Sequence, residues 1–199
     1  MKASIKKRLG AYVIDILLVL TVLSFISPII PTFGDTKKLS KETVDITEQY
    51  LEKKITEEEF LEKANDINYR VSKAIYLSDI ANVCVYLGYF AVLPLFLNGQ
   101  TLGKKIMKLR IKKIDDSNLT ANALLIRTLM MYGLLTLIIN LILLLLTNKG
   151  IYIQLSGYVS TIFSVITIAT FFMILIRKDG RGIPDLLAKT IVTEQEKEV

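Results

Sequence analysis

The apolar positions of the chain are gathered into four long blocks separated by charged segments. The first covers 9–30 and is interrupted only by Asp15. The second covers 74–97, with Asp79 near its start. The third, 128–147, and the fourth, 150–176, carry no charge. A helix of about 20 apolar residues crosses a bilayer, and it satisfies its own backbone hydrogen bonds where lipid cannot. The pattern predicts an all-α membrane protein, one domain over 1–199 with four transmembrane helices. The remainder is an extracytoplasmic helical loop at 31–73, an inner segment at 98–123 and an inner tail at 177–199.

The outer loop has helical periodicity of its own. Thr56 followed by Glu59 has capping-box spacing, and Ile55 with Phe60 has the spacing of a hydrophobic staple. Phe60, Ala64, Ile67 and Val71 then recur on one helical face, so this helix is expected to feed into the second span. A shorter helix is expected around Lys41 to Lys53. In the inner segment, apolar and basic positions partly alternate from Ile106 to Ile114, and Asp115-Asp116-Ser117-Asn118 is a turn signal. A short β-like or interfacial piece is expected there, with lysines near anionic head groups. Asp185 to Ala188 is too short to span and is expected at the inner interface. Residues 189–193 are expected as a strand pairing with the inner segment.

Charge then orients the spans. Fifteen lysines and arginines fall before the first span, after the second and after the fourth, Lys2 and Lys197 among them. Nine fall on the opposite side, which predicts both termini in the cytoplasm. This bias, rather than nucleic-acid binding, accounts for the net charge of +6. The first span lacks a small-residue cleavage site and is expected to be retained. The chain has no histidine and one cysteine, Cys84, inside the second span. Histidine metal sites, histidine-based triads and internal disulfides are thereby excluded, and no cofactor, metal or catalytic residue is expected. Gly99-x-x-x-Gly103-Lys104 faintly resembles a phosphate loop but fails on spacing, and Lys105 stands where a metal-binding hydroxyl is needed.

Four features in order carry a family resemblance. Arg8 opens the first span and Asp15 lies within it. Gly99-Gln100-Thr101-Leu102-Gly103-Lys104 precedes the basic Leu109-Arg110-Ile111. Arg127 begins the next helix, and Asp185-Leu186-Leu187-Ala188-Lys189-Thr190-Ile191-Val192 lies near the end. Together these resemble the RDD family of bacterial membrane proteins, named for one arginine and two aspartates. On that resemblance these are Arg8, Asp15 and Asp185. It implies a cell-membrane location and a link to transport, including cation/proton exchange. Pro184 stands where the family often has a histidine.

The candidate site is therefore Arg8, Asp15, Arg127 and Asp185. Arg8 and Asp15 are two turns apart, about 10.5 Å along a helix, too far to meet comfortably. By depth, Arg127 is the expected partner of Asp15, and Asp185 is expected to take Arg8, Lys104 or Lys105. A lone carboxylate inside a span costs about 2.5–3.5 kcal/mol, so Asp15 must face the bundle interior. Two readings stay open: a structural staple between helices, or a proton or cation site. Asp79 is read as an ordinary interfacial carboxylate, and Asn140 as a hydrogen-bonding link between helices. The expected function is transport of a small ion or solute, proton- or cation-coupled, in a homo-oligomer. The alternative is a non-transporting accessory or scaffold protein acting through its outer loop or basic inner segment. No enzyme activity is expected.

Overall fold

The computed structural model of the chain describes residues 3–195. Lys2 and Lys197, counted above for orientation, lie outside the described residues. Helix α1 (Ile5–Ile26) runs into a 3-10 turn, and together they form an apolar element over Ile5–Ile29. Its buried residues, Ala11, Asp15 and Val19, recur every four positions and define one face.

Helices α2 (Thr36–Leu51) and α3 (Glu57–Ala74) pack on each other as a hairpin. The predicted capping box at Thr56 and Glu59 is present with both of its hydrogen bonds. Helix α2 starts earlier than the expected Lys41, because the Asp35 carboxylate caps it by accepting from the Lys38 N–H at 3.0 Å. Tyr50 and Phe60 stack across the turn of the hairpin. One residue after α3, helix α4 (Tyr76–Leu87) begins the second span. It passes through a π-turn at Gly88–Val92 into α5 (Leu93–Phe96), giving an apolar element over Tyr76–Phe96.

Helix α6 (Leu102–Ile106) turns back against α1 and leads into β1 (Leu109–Lys113). The predicted third span is not one continuous helix. Helix α7 (Ala121–Met131) and helix α8 (Leu134–Leu146) meet at a bend of 78°. Gly133 takes φ 68° at the break, a left-handed conformation that a glycine adopts without a Cβ penalty. At about 1.5 Å per residue, α8 alone falls short of the roughly 30 Å hydrocarbon core. Three unbroken helices are thus long and apolar enough to cross a membrane, or four spans if the bent pair counts as one.

Helix α9 (Lys149–Ile176) is the longest and most lipid-like element; Val165 and Phe171 on it are each 61% exposed. Helix α10 (Ile183–Leu187) follows, then β2 (Thr190–Glu194), which pairs antiparallel with β1 so that Ile111 faces Val192.

The best-packed core lies at one end of the molecule, not midway along the spans. Ala3, Ala11, Ala91, Leu109, Ile111, Leu124 and Val192 form it, with Met107 and Leu119 packed against them. The N-terminal segment joins this β1–β2 end through the Ala3 N–H, which donates to the Val192 carbonyl, and through Lys7 paired with Glu194 at 2.6 Å. The α2–α3 pair occupies the other, loop end, where Lys149 pairs with Asp66. Leu109→Ala, at a fully buried position, is expected to cost about 2–5 kcal/mol of stability in detergent. Ile168→Ala, at a position 58% exposed, is expected to leave the unfolding midpoint nearly unchanged.

Candidate functional site

Asp15 is completely buried on the inward face of α1, where a receptor made by the second span and the segment after it surrounds its carboxylate. Tyr89, carried on the π-turn, donates its hydroxyl to Oδ1 at 2.7 Å. The Thr101 hydroxyl donates to Oδ2 at 2.6 Å, and the Gly103 N–H donates to Oδ1 at 2.7 Å. The Lys104 ammonium stands 3.5 Å from Oδ2. The Gly99–Lys104 motif therefore has a physical reading. Gly99, at φ 81°, makes the turn close to the Ile111 carbonyl, where a Cβ would come within 2.3 Å. Thr101 caps α6 and also donates to Asp15. A Cβ at Gly103 would stand 2.3 Å from the Ala11 carbonyl and 2.7 Å from Asp15 Oδ1. Only a glycine lets α6 press its backbone onto α1. The donors that would make a phosphate loop are occupied by a carboxylate of the same chain.

Asp185 has a separate receptor. Arg127 pairs with its Oδ1, and Arg8 lies 3.4 Å from its Oδ2. The Thr190 hydroxyl and the Gly182 N–H also donate to it, each at 3.4 Å. Arg127 further donates to Thr190 at 3.2 Å, and Arg8 to the Gly180 carbonyl. The expected Asp15–Arg127 pair is therefore not formed. The α6 segment packs against α1 and delivers Lys104 to Asp15, while α10 brings Asp185 to Arg127. Arg8 and Asp15 do not meet. Of the four predicted residues, three come together, and Asp15 stands beside them through Lys104.

These receptors share a wall. A cavity of about 30 Å³, enough for a single water, is bounded by Arg8, Lys104, Arg127, Tyr12 and Tyr132. Three cationic side chains thus serve two carboxylates. Burial pushes the Lys104 ammonium from an ordinary 10.5 down to about 8, and Arg127 and Arg8 push the same way against the pull of Asp15. Among the described residues, no group of three histidine, cysteine or acidic side chains is arranged to hold a metal ion.

The family model described as RDD family matches residues 2–189. The chain belongs to the RDD family. No curated protein and no solved structure gives a significant match to it. In this RDD chain, the arginine and the second aspartate bond to each other, and the first aspartate is held by the Gly99–Lys104 segment.

Sequence reading missed Tyr89, Thr101 and Gly103 as ligands of Asp15, and Thr190 as the bridge between Arg127 and Asp185. The two motifs contained Thr101, Gly103 and Thr190, so a signal was present; Tyr89 had none. A second polar site lies toward the loop end. Asp79, Asn140, Ser72 and Tyr152 line a cavity of about 100 Å³. The Oδ1 of Asn140 is buried there without a partner, so it does not make the interhelical hydrogen bond expected of it. Asp79 makes no ion pair among the described residues.

Gly103→Ala is expected to lower the unfolding midpoint in detergent by the equivalent of about 1–3 kcal/mol, since a backbone oxygen cannot move aside as a side chain can. Lys104 generates a pH prediction. Its folded pKa lies below its unfolded value, so between about 8 and 10.5 the unfolded chain binds more protons. Its contribution to stability therefore rises with pH through that window, and below it the full cost of burying the charge remains. Lys104→Met is expected to remove this rise when the unfolding midpoint of each protein is followed from pH 7 to 10.

Proposed function

We propose that this RDD membrane protein moves a small ion or solute in exchange for, or together with, a proton. The observation that carries this reading is the buried Asp15–Lys104 pair beside two arginines and a second carboxylate. With Lys104 charged, the cluster holds three cations against two anions. Loss of the Lys104 proton leaves two arginines against two carboxylates, with both arginines on Asp185 and Asp15 held by its three hydrogen-bond donors. A pKa near 8 places that exchange close to physiological pH. The polar Asp79 cavity further along the same span offers a second station, about 15 Å from Tyr89 at 1.5 Å per residue. Between them Tyr86 packs on Phe90 and Tyr132, an aromatic layer that keeps the two stations apart in this conformation.

The setting for this activity is the cytoplasmic membrane, with the β1–β2 end, the N-terminus and the C-terminal tail facing the cytoplasm. That side carries the larger share of lysine and arginine. A homo-oligomer supplies the spans that a transport pathway needs beyond three or four, and the exposed apolar face of α9 is available for it. The scaffold reading has its own support: the Asp15 receptor is fully occupied by intrachain donors, as a staple would be.

Proteoliposomes carrying an imposed pH gradient and a sodium or potassium gradient separate the two. Wild type is expected to dissipate the pH gradient in a cation-dependent way. Lys104→Met and Asp15→Asn, assembled and folded as judged by gel filtration, are expected to lose at least nine-tenths of that flux, about 1.4 kcal/mol or more in the barrier. Inactive wild-type protein, or undiminished flux in both variants, refutes the transport reading.

A further inference from the structure

Where the second span ends beside β1, a cavity of about 360 Å³ opens at the β1–β2 end. Its size is that of a small-ligand site. Arg110, Lys112 and Lys113 line it from β1. Arg110 and Lys112 are two residues apart on the strand and so share a face. None of the three makes an ion pair among the described residues, although every buried charge of the neighbouring cluster is paired. The Nε of Arg110 is buried and has no hydrogen-bond partner. One carboxylate, Asp116, also lines the cavity. Asp115, next to it, is engaged by the N–H and hydroxyl of Ser117 at 3.1 and 2.7 Å, which hold its carboxyl below the usual range with help from Lys113. The lining therefore keeps a surplus of two positive charges and a buried guanidinium donor with nothing to bind.

The opposite wall is apolar. Pro94 and Leu95 come from the last turn of the second span, and Leu119 closes the side. Next to them Val92 is 48% and Phe96 79% exposed, on the surface that a span turns to lipid. Gly99 and Ile111 tie the two walls together, because the Ile111 N–H donates to the Gly99 carbonyl at 2.8 Å. The cavity is thus cationic toward the strand and apolar toward the span, beside the end of the apolar element Tyr76–Phe96.

We propose that this cavity is a binding site for a phosphate-bearing anion, and that its source is the headgroup of an anionic phospholipid. Arg110 takes the phosphate through its guanidinium, and Lys112 and Lys113 supply the surrounding positive potential. The lipid's acyl chains run along Val92, Leu95 and Phe96. The Arg8–Asp15–Lys104 cluster is not part of this site, so the assignment stands whether or not the chain transports anything.

The test is native mass spectrometry of the full-length protein from mixed micelles containing equal phosphatidylglycerol and phosphatidylcholine. The Arg110→Gln/Lys112→Gln/Lys113→Gln variant is compared with Lys37→Gln/Lys38→Gln/Lys41→Gln, which removes as many charges from the loop end. Wild type and the loop-end variant are expected to retain phosphatidylglycerol over phosphatidylcholine by about tenfold or more, and the cavity variant to lose that preference. Equal preference in all three proteins overturns the site. Arg110→Gln alone, read by the same ratio, decides the matter if the triple variant does not assemble; an unchanged ratio refutes the proposal. A parallel thermal-unfolding series with inorganic phosphate separates the sources. Stabilisation of wild type by phosphate but not by short-chain phosphatidylglycerol overturns the lipid assignment.

Discussion

The structure depends on how one carboxylate is accommodated below the membrane surface. Inserting Asp15 alone costs about 2.5–3.5 kcal/mol. Three hydrogen bonds to a charged acceptor, each worth roughly 1.5–3 kcal/mol, together with a nearby ammonium outweigh that cost. The compensation is structural as well as energetic. Two of those donors belong to Thr101 and Gly103, so satisfying Asp15 fixes α6 against α1. Once α6 is fixed, Gly99 and Gln100 hold β1, through the Ile111 N–H and the Leu109 carbonyl. β1 then pairs with β2, which seats Val192 in the core and carries Thr190 to Asp185 and Arg127.

The second carboxylate closes the same end from the other direction. Asp185 joins α10 to α1 through Arg8 and to α7 through Arg127. Two chain-distant segments are thereby clamped onto the bundle by charges that neither could keep buried alone. Breaking one partner of such a pair leaves the other uncompensated, and the cost comes mainly from that orphan. The two receptors differ in their cations: Asp185 has two guanidiniums, whereas Asp15 has the single Lys104 ammonium and otherwise rests on three hydrogen-bond donors.

Much of this was legible from local chemistry. The first, second and fourth apolar blocks, the capping box at Thr56, the partial alternation before Asp115 and the strand after Lys189 all rest on short-range patterns, and each has its counterpart in the fold. The break at Gly133 was not legible, because a glycine inside an apolar run is compatible with a continuous helix. Its φ of 68° lies between α7, which packs on α10 and the π-turn, and α8, which packs on α4 and α9. The partner of Asp15 was misassigned because depth alone does not say which segment reaches a helix face. The Gly99–Lys104 loop looked like a connection between spans, yet it folds back as a ligand. Its small residues have a reason only once α1 lies 2.3 Å from where a Cβ would be.

A double-mutant cycle tests the central claim most directly. Asp15→Asn and Thr101→Val are made singly and together, and unfolding free energy is measured in one detergent. If the carboxylate and the α6 cap hold each other, the two losses overlap, with a coupling of about 1–3 kcal/mol. Losses that add to within about 0.5 kcal/mol would show that Thr101 does not hold Asp15, and would contradict the account.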